Sequence, residues 1–433
     1  MTRRTLGVWC TTAVILLLAG ACAKAGGTGG PVTGGGAAGA GGASATPKLG
    51  APASRPGSPA SQPQPVWFQS LQMTSATSGW ALVWSANPGA IDNAHIVLAR
   101  TTDGARTWSD VTPAAARPML ATLNSYQALD PVDGDHAYLA VSRATSDDGG
   151  PPSTTAVFAT ADGGRTWTES AVFKTSAPAA GLSFTDASHG WLLLSQAFSG
   201  PAQPVTWLYQ TSDGGLRWSP AATAAPPGNY GMNDMCRPLN LTFLTATTGW
   251  VTIGCRGEPE FLVSQDGGGS WAAQPLPLPA GSLGTAGGPA FLNGPQFVGG
   301  TGFLTVAPPA PGTPSLLDTR NGGQTWQLLT LPSGAGQYPQ VKFFTPADGV
   351  LVTAGSQEAL GPVFYVTADG GQSWTPVPQG IHFTQDGEAI DFASQQAGLA
   401  WNSGGSTVPA PPLYATTNSG RTWHLFIPHL VTG

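Results

Sequence analysis

Short apolar runs separated by polar and turn-forming residues fill the chain from Val66 to its C-terminal end. Residues 95–99, 207–210, 261–263 and 363–366 are examples of these runs. Runs of this length, bounded by Gly, Pro, Asn, Asp or Ser, predict β-strands rather than helices. We therefore expect an all-β fold.

A hairpin pattern recurs along these runs. An apolar residue is followed six positions later by Gly and then by another apolar residue. The five regular examples are Met73 with Gly79, Phe184 with Gly190, Phe243 with Gly249, Phe343 with Gly349 and Phe392 with Gly398. This spacing predicts two strands joined by a polar turn. Residues 129–138 and 291–303 keep the hairpin but change the spacing.

An eight-residue segment follows each hairpin, and we call its seven copies the eight-residue turns. The most regular copy is Thr-Ala-Asp-Gly-Gly-Arg-Thr-Trp at residues 160–167. The third positions are Asp103, Asp162, Asp213, Asp266, Asn321, Asp369 and Asn418, and the copies end at Trp108, Trp167, Trp218, Trp271, Trp326, Trp374 and Trp423. The Asp or Asn is expected to accept hydrogen bonds from backbone N–H groups two residues on. Each Trp is expected to bury its ring against a neighbouring sheet.

Glycine at the fourth or fifth position of each turn permits positive φ. Ala105 replaces this glycine in the first copy, and Ser419 changes the last. We therefore expect a strained first turn.

The eight-residue turns end 48 to 59 residues apart, which is the length of a four-stranded propeller blade. The sequence therefore predicts a seven-bladed β-propeller of four-stranded antiparallel blades over residues 66–433. Each blade has strands A to D, with the eight-residue turn between C and D. The ring is expected to close by packing the first blade on the last, without sharing strands. In an alternative register, the segment after Pro65 completes the last blade.

These motifs are similar to the Asp-box, or BNR repeat, written Ser/Thr-x-Asp-x-Gly-x-Thr-Trp. Together with the hairpins, they make residues 66–433 resemble the photosystem II assembly and stability factor family and its bacterial relatives. That resemblance implies a binding scaffold without catalytic residues. Sialidases and xyloglucan-type glycoside hydrolases share the Asp-box but less of the hairpin pattern, so a cell-surface glycoside hydrolase is the alternative function.

Candidate carboxylates for a hydrolase occur in two groups. The groups are Asp130, Asp133 and Asp135, and Asp386, Glu388 and Asp391. A glycosidase needs two carboxyl groups flanking one bond. Asp-rich segments between strands are more often solvated turns, and the Arg-Ile-Pro tripeptide that a sialidase resemblance implies is absent from the sequence. The sequence leaves enzyme activity open and favours a non-enzymatic role.

The N-terminal segment resembles a bacterial lipoprotein signal. Arg3 and Arg4 precede an apolar run at residues 8–18, and the small residues 19–21 precede Cys22. The resemblance implies that residues 1–21 are removed and that Cys22 is lipidated, anchoring the protein outside the cytoplasm to the cell membrane. An ordinary secretory signal cleaved near Ala21 is the alternative. Residues 22–65 are rich in Gly, Ala, Pro and Ser, which predicts a disordered tether with a reach of roughly 35 to 40 Å.

Composition limits the classes of partner that we expect. Charged residues make up 9% of the chain and the net charge is −6, which argues against nucleic acid. With Cys10 in the signal and Cys22 lipidated, Cys236 and Cys255 remain for one disulfide in an oxidising compartment. The six histidines show no paired spacing, so we expect no metal site, and nothing in the sequence indicates a cofactor.

The longest loops are expected on the propeller face opposite the eight-residue turns. The richest polar and aromatic cluster there consists of Tyr230, Asn233, Asp234, Arg237, Arg256, Glu258 and Glu260. Loops on a rigid scaffold commonly carry binding residues, although a plain long loop is the simpler interpretation. We take this cluster as the candidate recognition patch. The predicted protein is a monomer that binds a protein or glycan at the cell envelope.

Overall fold

The structure, a computed structural model, describes most of the chain after residue 63. The described ranges are 64–84, 95–121, 125–144, 152–173, 177–195, 206–221, 236–255, 259–285, 288–308, 312–333, 335–336, 339–353, 363–378, 388–402 and 413–431. The predicted signal segment, Cys22 and the tether up to residue 63 lie outside these ranges.

Seven antiparallel four-stranded blades follow one another along the chain, as the repeat predicts. The chain enters through β1 (Gln64–Pro65). Blade 1 contains β2 (Trp67–Met73), β3 (Gly79–Trp84), β4 (Ile96–Thr101) and β5 (Thr107–Asp110), and the short helix α1 (Arg117–Leu120) follows it. Blade 2 contains β6 (Ser125–Pro131), β7 (Ala137–Ala144), β8 (Pro152–Thr160) and β9 (Thr168–Phe173), and blade 3 contains β10 (Ala179–Phe184), β11 (Gly190–Ser195), β12 (Thr206–Thr211) and β13 (Ser219–Pro220).

The remaining blades repeat this order. Blade 4 contains β14 (Cys236–Phe243), β15 (Gly249–Cys255), β16 (Glu260–Ser264) and β17 (Ala272–Ala273), followed by a hairpin of β18 (Gly284–Thr285) and β19 (Gly288–Pro289). Blade 5 contains β20 (Phe291–Val298), β21 (Thr301–Ala307), β22 (Ser315–Thr319) and β23 (Gln327–Leu329), and blade 6 contains β24 (Gln340–Phe343), β25 (Gly349–Thr353), β26 (Val363–Thr367) and β27 (Thr375–Val377). Blade 7 contains β28 (Glu388–Phe392), β29 (Gly398–Asn402), β30 (Leu413–Thr416) and β31 (His424–Phe426), and β32 (His429–Val431) ends the described chain.

The hydrophobic core lies between adjacent blades. One cluster, for example, joins Ala128 and Val157 of blade 2 to Leu182 and Leu192 of blade 3. The first strands of successive blades contact one another, which makes them the innermost strands of the ring. Each blade is therefore held by its neighbours on both faces.

The hairpin spacing has a steric cause. Phe343 pairs directly with Gly349 across the first two strands of blade 6. A Cβ atom at Gly349 would lie 2.8 Å from Cδ1 of Phe343, so only glycine leaves room for the ring. Gly398 bears the same relation to Phe392. The predicted pairing of strands A and B is confirmed at these positions.

The eight-residue turns connect the third and fourth strands of each blade. In blade 2, the Thr160 hydroxyl accepts a hydrogen bond from the N–H of Gly164 (2.9 Å) and donates one to the Asp162 carboxylate (3.0 Å). That carboxylate accepts the N–H of Thr166 (2.9 Å) and its hydroxyl (2.6 Å). The predicted acceptor role is confirmed, but the main donor is four residues on, because the carboxylate spans the turn instead of closing a local Asx turn.

Left-handed backbone recurs in these turns. Gly163 and Gly164 have φ of 73° and 81°. Ala105 has φ of 70° and Ser419 has φ of 63°, so both residues have a left-handed backbone conformation that is disfavoured for L-residues. The strain expected from Ala105 is therefore present in the first turn, and Ser419 brings the same strain to the last.

The C-terminal strand joins the sheet of blade 1. β32 pairs in parallel with β5, where Leu430 lies opposite Trp108, and antiparallel with β1. Leu430 is buried in the cluster between blades 1 and 7, together with Phe68 and Trp401. Each blade keeps its own four strands, as we expected, but the expectation that the termini share no sheet is wrong. The alternative register is also wrong, because blade 7 is completed by β31.

Cys236 and Cys255 are paired residues in the antiparallel register of β14 and β15. The predicted backbone proximity is therefore present. Their side chains lie outside the described part of the structure, so the disulfide itself stays a prediction.

Within the described residues, no helix is long and apolar enough to cross a membrane.

We predict that Leu430→Ala destabilises the ring. Leu430 is 4% exposed, so its truncation leaves a cavity at the closure and should lower the free energy of unfolding by about 2 to 4 kcal/mol. Urea unfolding followed by tryptophan fluorescence would measure the change. Val431→Ala is the matched control, because Val431 is 49% exposed and its truncation should change stability by no more than about 0.5 kcal/mol. Equal effects of the two variants would contradict the role of β32.

We also predict that Cys236 and Cys255 are oxidised in the exported protein. Alkylation under denaturing conditions should modify neither residue without reductant and both with it. In the chain-entropy model, the Cys236→Ser/Cys255→Ser double variant should lose about 3 kcal/mol of stability. Alkylation of both thiols without reductant would contradict the prediction.

Candidate functional site

A ring of polar side chains links the innermost strands of neighbouring blades. Each side chain belongs to the residue just before the apolar or aromatic residue near the end of its blade's first strand. The members that contact the next blade are Gln72, Asp130, Ser183, Gln296, Lys342 and Asp391. We call this set the junction ring.

Backbone N–H groups of one blade donate to the junction ring of the preceding blade. The N–H of Phe184 donates to Asp130 at 2.7 Å, and that of Phe243 donates to Ser183 at 2.9 Å. The N–H of Phe343 donates to Gln296 at 3.1 Å, and the Gln296 amide donates back to the Phe343 carbonyl at 3.0 Å. Each bond ties the inner edges of two blades together.

The closing junction carries a charged pair. Asp391 of blade 7 accepts the N–H of Met73 in blade 1 at 2.6 Å. The same carboxylate forms an ion pair with Lys342 of blade 6. One side chain thus connects three successive blades at the point where the ring closes.

Blade 4 makes the contact with a different residue. Asn240 lies on its innermost strand and donates through its side-chain amide to the Leu292 carbonyl of blade 5 at 3.2 Å. It also donates to the Thr252 hydroxyl at 3.2 Å. The link between blades 4 and 5 is therefore shifted along the strand.

Asp130 is the member with the most perturbed acidity. Burial raises the pKa of its carboxyl from 3.8 to about 7, and the hydrogen bond from Phe184 offsets this rise only in part. No cation among the described residues pairs with it. Asp130 thus titrates near neutral pH inside the junction between blades 2 and 3.

The structure does not bring the first group of candidate catalytic carboxylates together. Asp130 bonds toward blade 3, whereas Asp133 lies on the exposed hairpin turn and contacts the His136 ring at 2.9 Å. Burial pushes the pKa of Asp133 up, but hydrogen bonds from the backbone N–H groups of His136 and Asp135 lower it overall. Asp135 forms an ion pair with Arg100 at 3.2 Å. The three carboxylates serve three separate contacts.

The second group is described only in part. Asp386 lies outside the described residues, and so does the side chain of Glu388 in β28. Asp391 is 3% exposed and belongs to the junction ring. Its carboxylate is committed to the blade interface.

The aspartates of the eight-residue turns are fixed acceptors. Hydrogen bonds from the Thr166 hydroxyl and N–H lower the pKa of Asp162 to about 2. Those from Ser373 lower the pKa of Asp369 to about 2 as well. These carboxylates stay ionised over the physiological range and hold the turn strands in place.

Most of the candidate recognition patch lies outside the described residues. This applies to Tyr230, Asn233, Asp234, Arg256 and Glu258. Arg237 belongs to β14, where its backbone pairs with Gly254, but its side chain is also outside the description. Glu260 is half-buried at the start of β16. The patch therefore stays a prediction.

The described residues contain no group of three His, Cys, Asp or Glu side chains able to hold a metal ion. His136 and His189 each contact an aspartate of the same turn, Asp133 and Asp186. These two histidines cap their hairpin turns.

Sequence reasoning missed the junction ring. A usable signal was present, since a polar residue stands immediately before Phe184, Phe343 and Phe392. The residue type varies from blade to blade, however, and each partner lies in the next blade. The periodic position was visible, but the contact was not.

No protein-family model and no curated protein matches the chain. Among solved structures, YCF48 bound to D1 peptide is 14% identical, with a TM-score of 0.46, and the match covers 83% of this chain and 92% of that one. The GH74 enzyme of Niastella koreensis is 13% identical, with a TM-score of 0.48 and coverages of 84% and 67%. A prolyl endopeptidase is 9% identical, with a TM-score of 0.51 and coverages of 84% and 50%. At these identities the likeness concerns the fold alone, and the chain is a seven-bladed β-propeller.

We predict that Asp130→Asn stabilises the protein increasingly as pH rises. The folded-state pKa is raised to about 7, so the contribution of Asp130 to stability is full below pH 3.8 and is lost as pH rises to about 7. The substituted asparagine keeps an acceptor for the N–H of Phe184 but does not ionise. The stability difference between variant and wild type should therefore grow from pH 4 to 7 by up to about 1.4 kcal/mol per pH unit and then level off.

Urea unfolding at a series of pH values would measure this difference. Ser183→Ala is the control, because it removes the equivalent contact in blade 3 without removing a titrating group. It should lower stability by a similar amount at every pH. A pH-independent effect of Asp130→Asn would contradict the prediction.

Proposed function

We propose that the protein is an exported, lipid-anchored and non-enzymatic propeller that binds a protein or a glycan at the cell envelope. The proposal combines the lipoprotein-like segment ending at Cys22 with the repeats similar to Asp-boxes. It treats the ring as a rigid scaffold and the loops opposite the eight-residue turns as the binding surface.

One observation carries the non-enzymatic part of the proposal. Every aspartate whose side chain is described accepts a hydrogen bond or ion pair from the protein itself. These residues are Asp103, Asp110, Asp130, Asp133, Asp135, Asp162, Asp186, Asp213, Asp266, Asp318, Asp348, Asp369 and Asp391. Carboxylates occupied in this way support turns and blade junctions, which favours a structural role for them.

A glycoside hydrolase is the second candidate, and the raised pKa of Asp130 is the observation that favours it. A carboxyl with a pKa of about 7 is protonated often enough at neutral pH to act as a general acid. Its Oδ2 atom is already used by the N–H of Phe184, and Asp133 and Asp135 are engaged elsewhere. This geometry favours a structural role for Asp130.

The binding function predicts a specific partner in the native membrane. The wild-type chain should yield a crosslinked partner, and alanine at Tyr230, Asn233, Asp234 and Arg237 should abolish that product. Arg165→Ala is the control, because Arg165 is exposed in an eight-residue turn, which we expect on the face opposite the patch. Mass spectrometry should also find acyl chains on the protein, and Cys22→Ala should remove them.

The outcomes separate the parts of the proposal. A patch variant that still captures every partner would contradict the patch, and a wild-type chain that captures nothing above background would contradict binding. Release of reducing sugar from xyloglucan or of sialic acid from a sialoside, lost in Asp130→Asn, would replace the binding function with the hydrolase.

A further inference from the structure

Exposed aliphatic side chains are concentrated at the end of the described chain. Six large apolar side chains of the described residues are exposed, and three of them lie within seven residues. Leu425 is 58% exposed, Ile427 is 56% exposed and Val431 is 49% exposed. We call these three residues the closure stripe. Exposed apolar side chains grouped in one segment are a candidate site for contact with another surface.

Burial alternates along this segment. Phe426 packs against the cluster between blades 1 and 7, and Pro428 and Leu430 are buried. The alternate residues Leu425, Ile427, His429 and Val431 are exposed. The inward residues close the ring, so the outward ones are held in place by the fold rather than lying on a loose end.

The chain enters the propeller beside the closure stripe. Gln64 pairs with Leu430, and Pro65 pairs with His429. The segment between Cys22 and Gln64 therefore joins the propeller at the strand that carries Val431. With a predicted reach of roughly 35 to 40 Å, this tether would keep the propeller at a high effective concentration near an anchored end. Even a weak membrane contact would then be populated.

Two arginines accompany the stripe, Arg106 beside β32 and Arg421 nearby in the sequence. His429 donates its N–H to the Arg106 carbonyl at 3.3 Å, so Arg106 lies beside β32. The Arg106 guanidinium donates to the carbonyl oxygen of Asp103 at 2.8 Å, not to its carboxylate. Arg421 is exposed four residues before Leu425. Neither guanidinium forms an ion pair with a described residue. Aliphatic side chains flanked by arginines of this kind fit the interface of an anionic bilayer.

We propose that the closure stripe, with Arg106 and Arg421, is a docking surface for the anionic lipid surface of the membrane. Docking here orients the ring relative to the bilayer. The inference deepens the proposed function, because its biological setting rests on lipid anchoring at Cys22. The surface itself needs no acyl chain to be tested.

Vesicle flotation tests the surface separately from the anchor. The mature chain from residue 22 carrying Cys22→Ser would be mixed with vesicles of equal parts phosphatidylcholine and phosphatidylglycerol, and with vesicles of phosphatidylcholine alone. We expect flotation with the anionic vesicles and less with the neutral ones. Leu425→Ser/Ile427→Ser should reduce partitioning by roughly tenfold or more, since interfacial binding scales with buried apolar area.

Leu328→Ser is the matched control. Leu328 is 44% exposed on the outer strand of blade 5 and should be replaceable without loss of flotation. Near-ultraviolet circular dichroism would check that each variant is folded. Unchanged flotation of Leu425→Ser/Ile427→Ser, an equal loss in Leu328→Ser, or no flotation of the unsubstituted chain would overturn the proposal. A dimer in sedimentation that disappears in Leu425→Ser/Ile427→Ser would instead assign the stripe to a second copy of the chain.

The two proposals fail in different ways. Absence of acyl chains from the wild-type protein would remove the anchor but leave the flotation result standing. If the wild-type protein is acylated but the Cys22→Ser chain does not bind vesicles, the anchor is supported and the docking surface is ruled out.

Discussion

The hydrogen bond from one blade's innermost strand to the next is the interaction on which the ring depends. Sheets arranged around an axis approach most closely at their first strands, where the backbone N–H groups of neighbouring blades face each other's side chains. An unpaired N–H at such a junction would cost about 1 to 3 kcal/mol. Asp130, Ser183, Gln296 and Asp391 remove that cost with three kinds of side-chain acceptor, a carboxylate, a hydroxyl and an amide oxygen. The position is constrained more strongly than the residue type.

The fold was predictable because its signals are local. Phe343 and Gly349 lie six residues apart, and Thr160 and Trp167 span a single turn. Their steric and hydrogen-bonding requirements can be derived from neighbouring residues alone. The eight-residue turn recurs seven times, which fixes the number of blades.

What the sequence could not supply depends on distant pairs. Asp391 meets Met73 from 318 residues away, and β32 pairs with β5 and β1 from the other end of the chain. No spacing rule indicates that Leu430 fills the last junction. The candidate patch around Tyr230 was chosen from loop composition, which identifies residues suited to binding but not their arrangement. Composition misled in the opposite direction at Asp130. Its Asp-rich surroundings indicated a turn, but its side chain lies within a blade interface.

Closure by the two chain ends also has a mechanical consequence. β1 is the point at which the tether joins the ring, and it is bonded to β32 rather than to a blade of its own. A pull on the tether therefore reaches β1 first, and passes from there through its pairing with β32 and through the buried Val66 into β2 of blade 1. The hydrophobic interfaces between the other blades lie outside that load path. The pairing of β1 with β32 is therefore the first strand contact that such a pull loads.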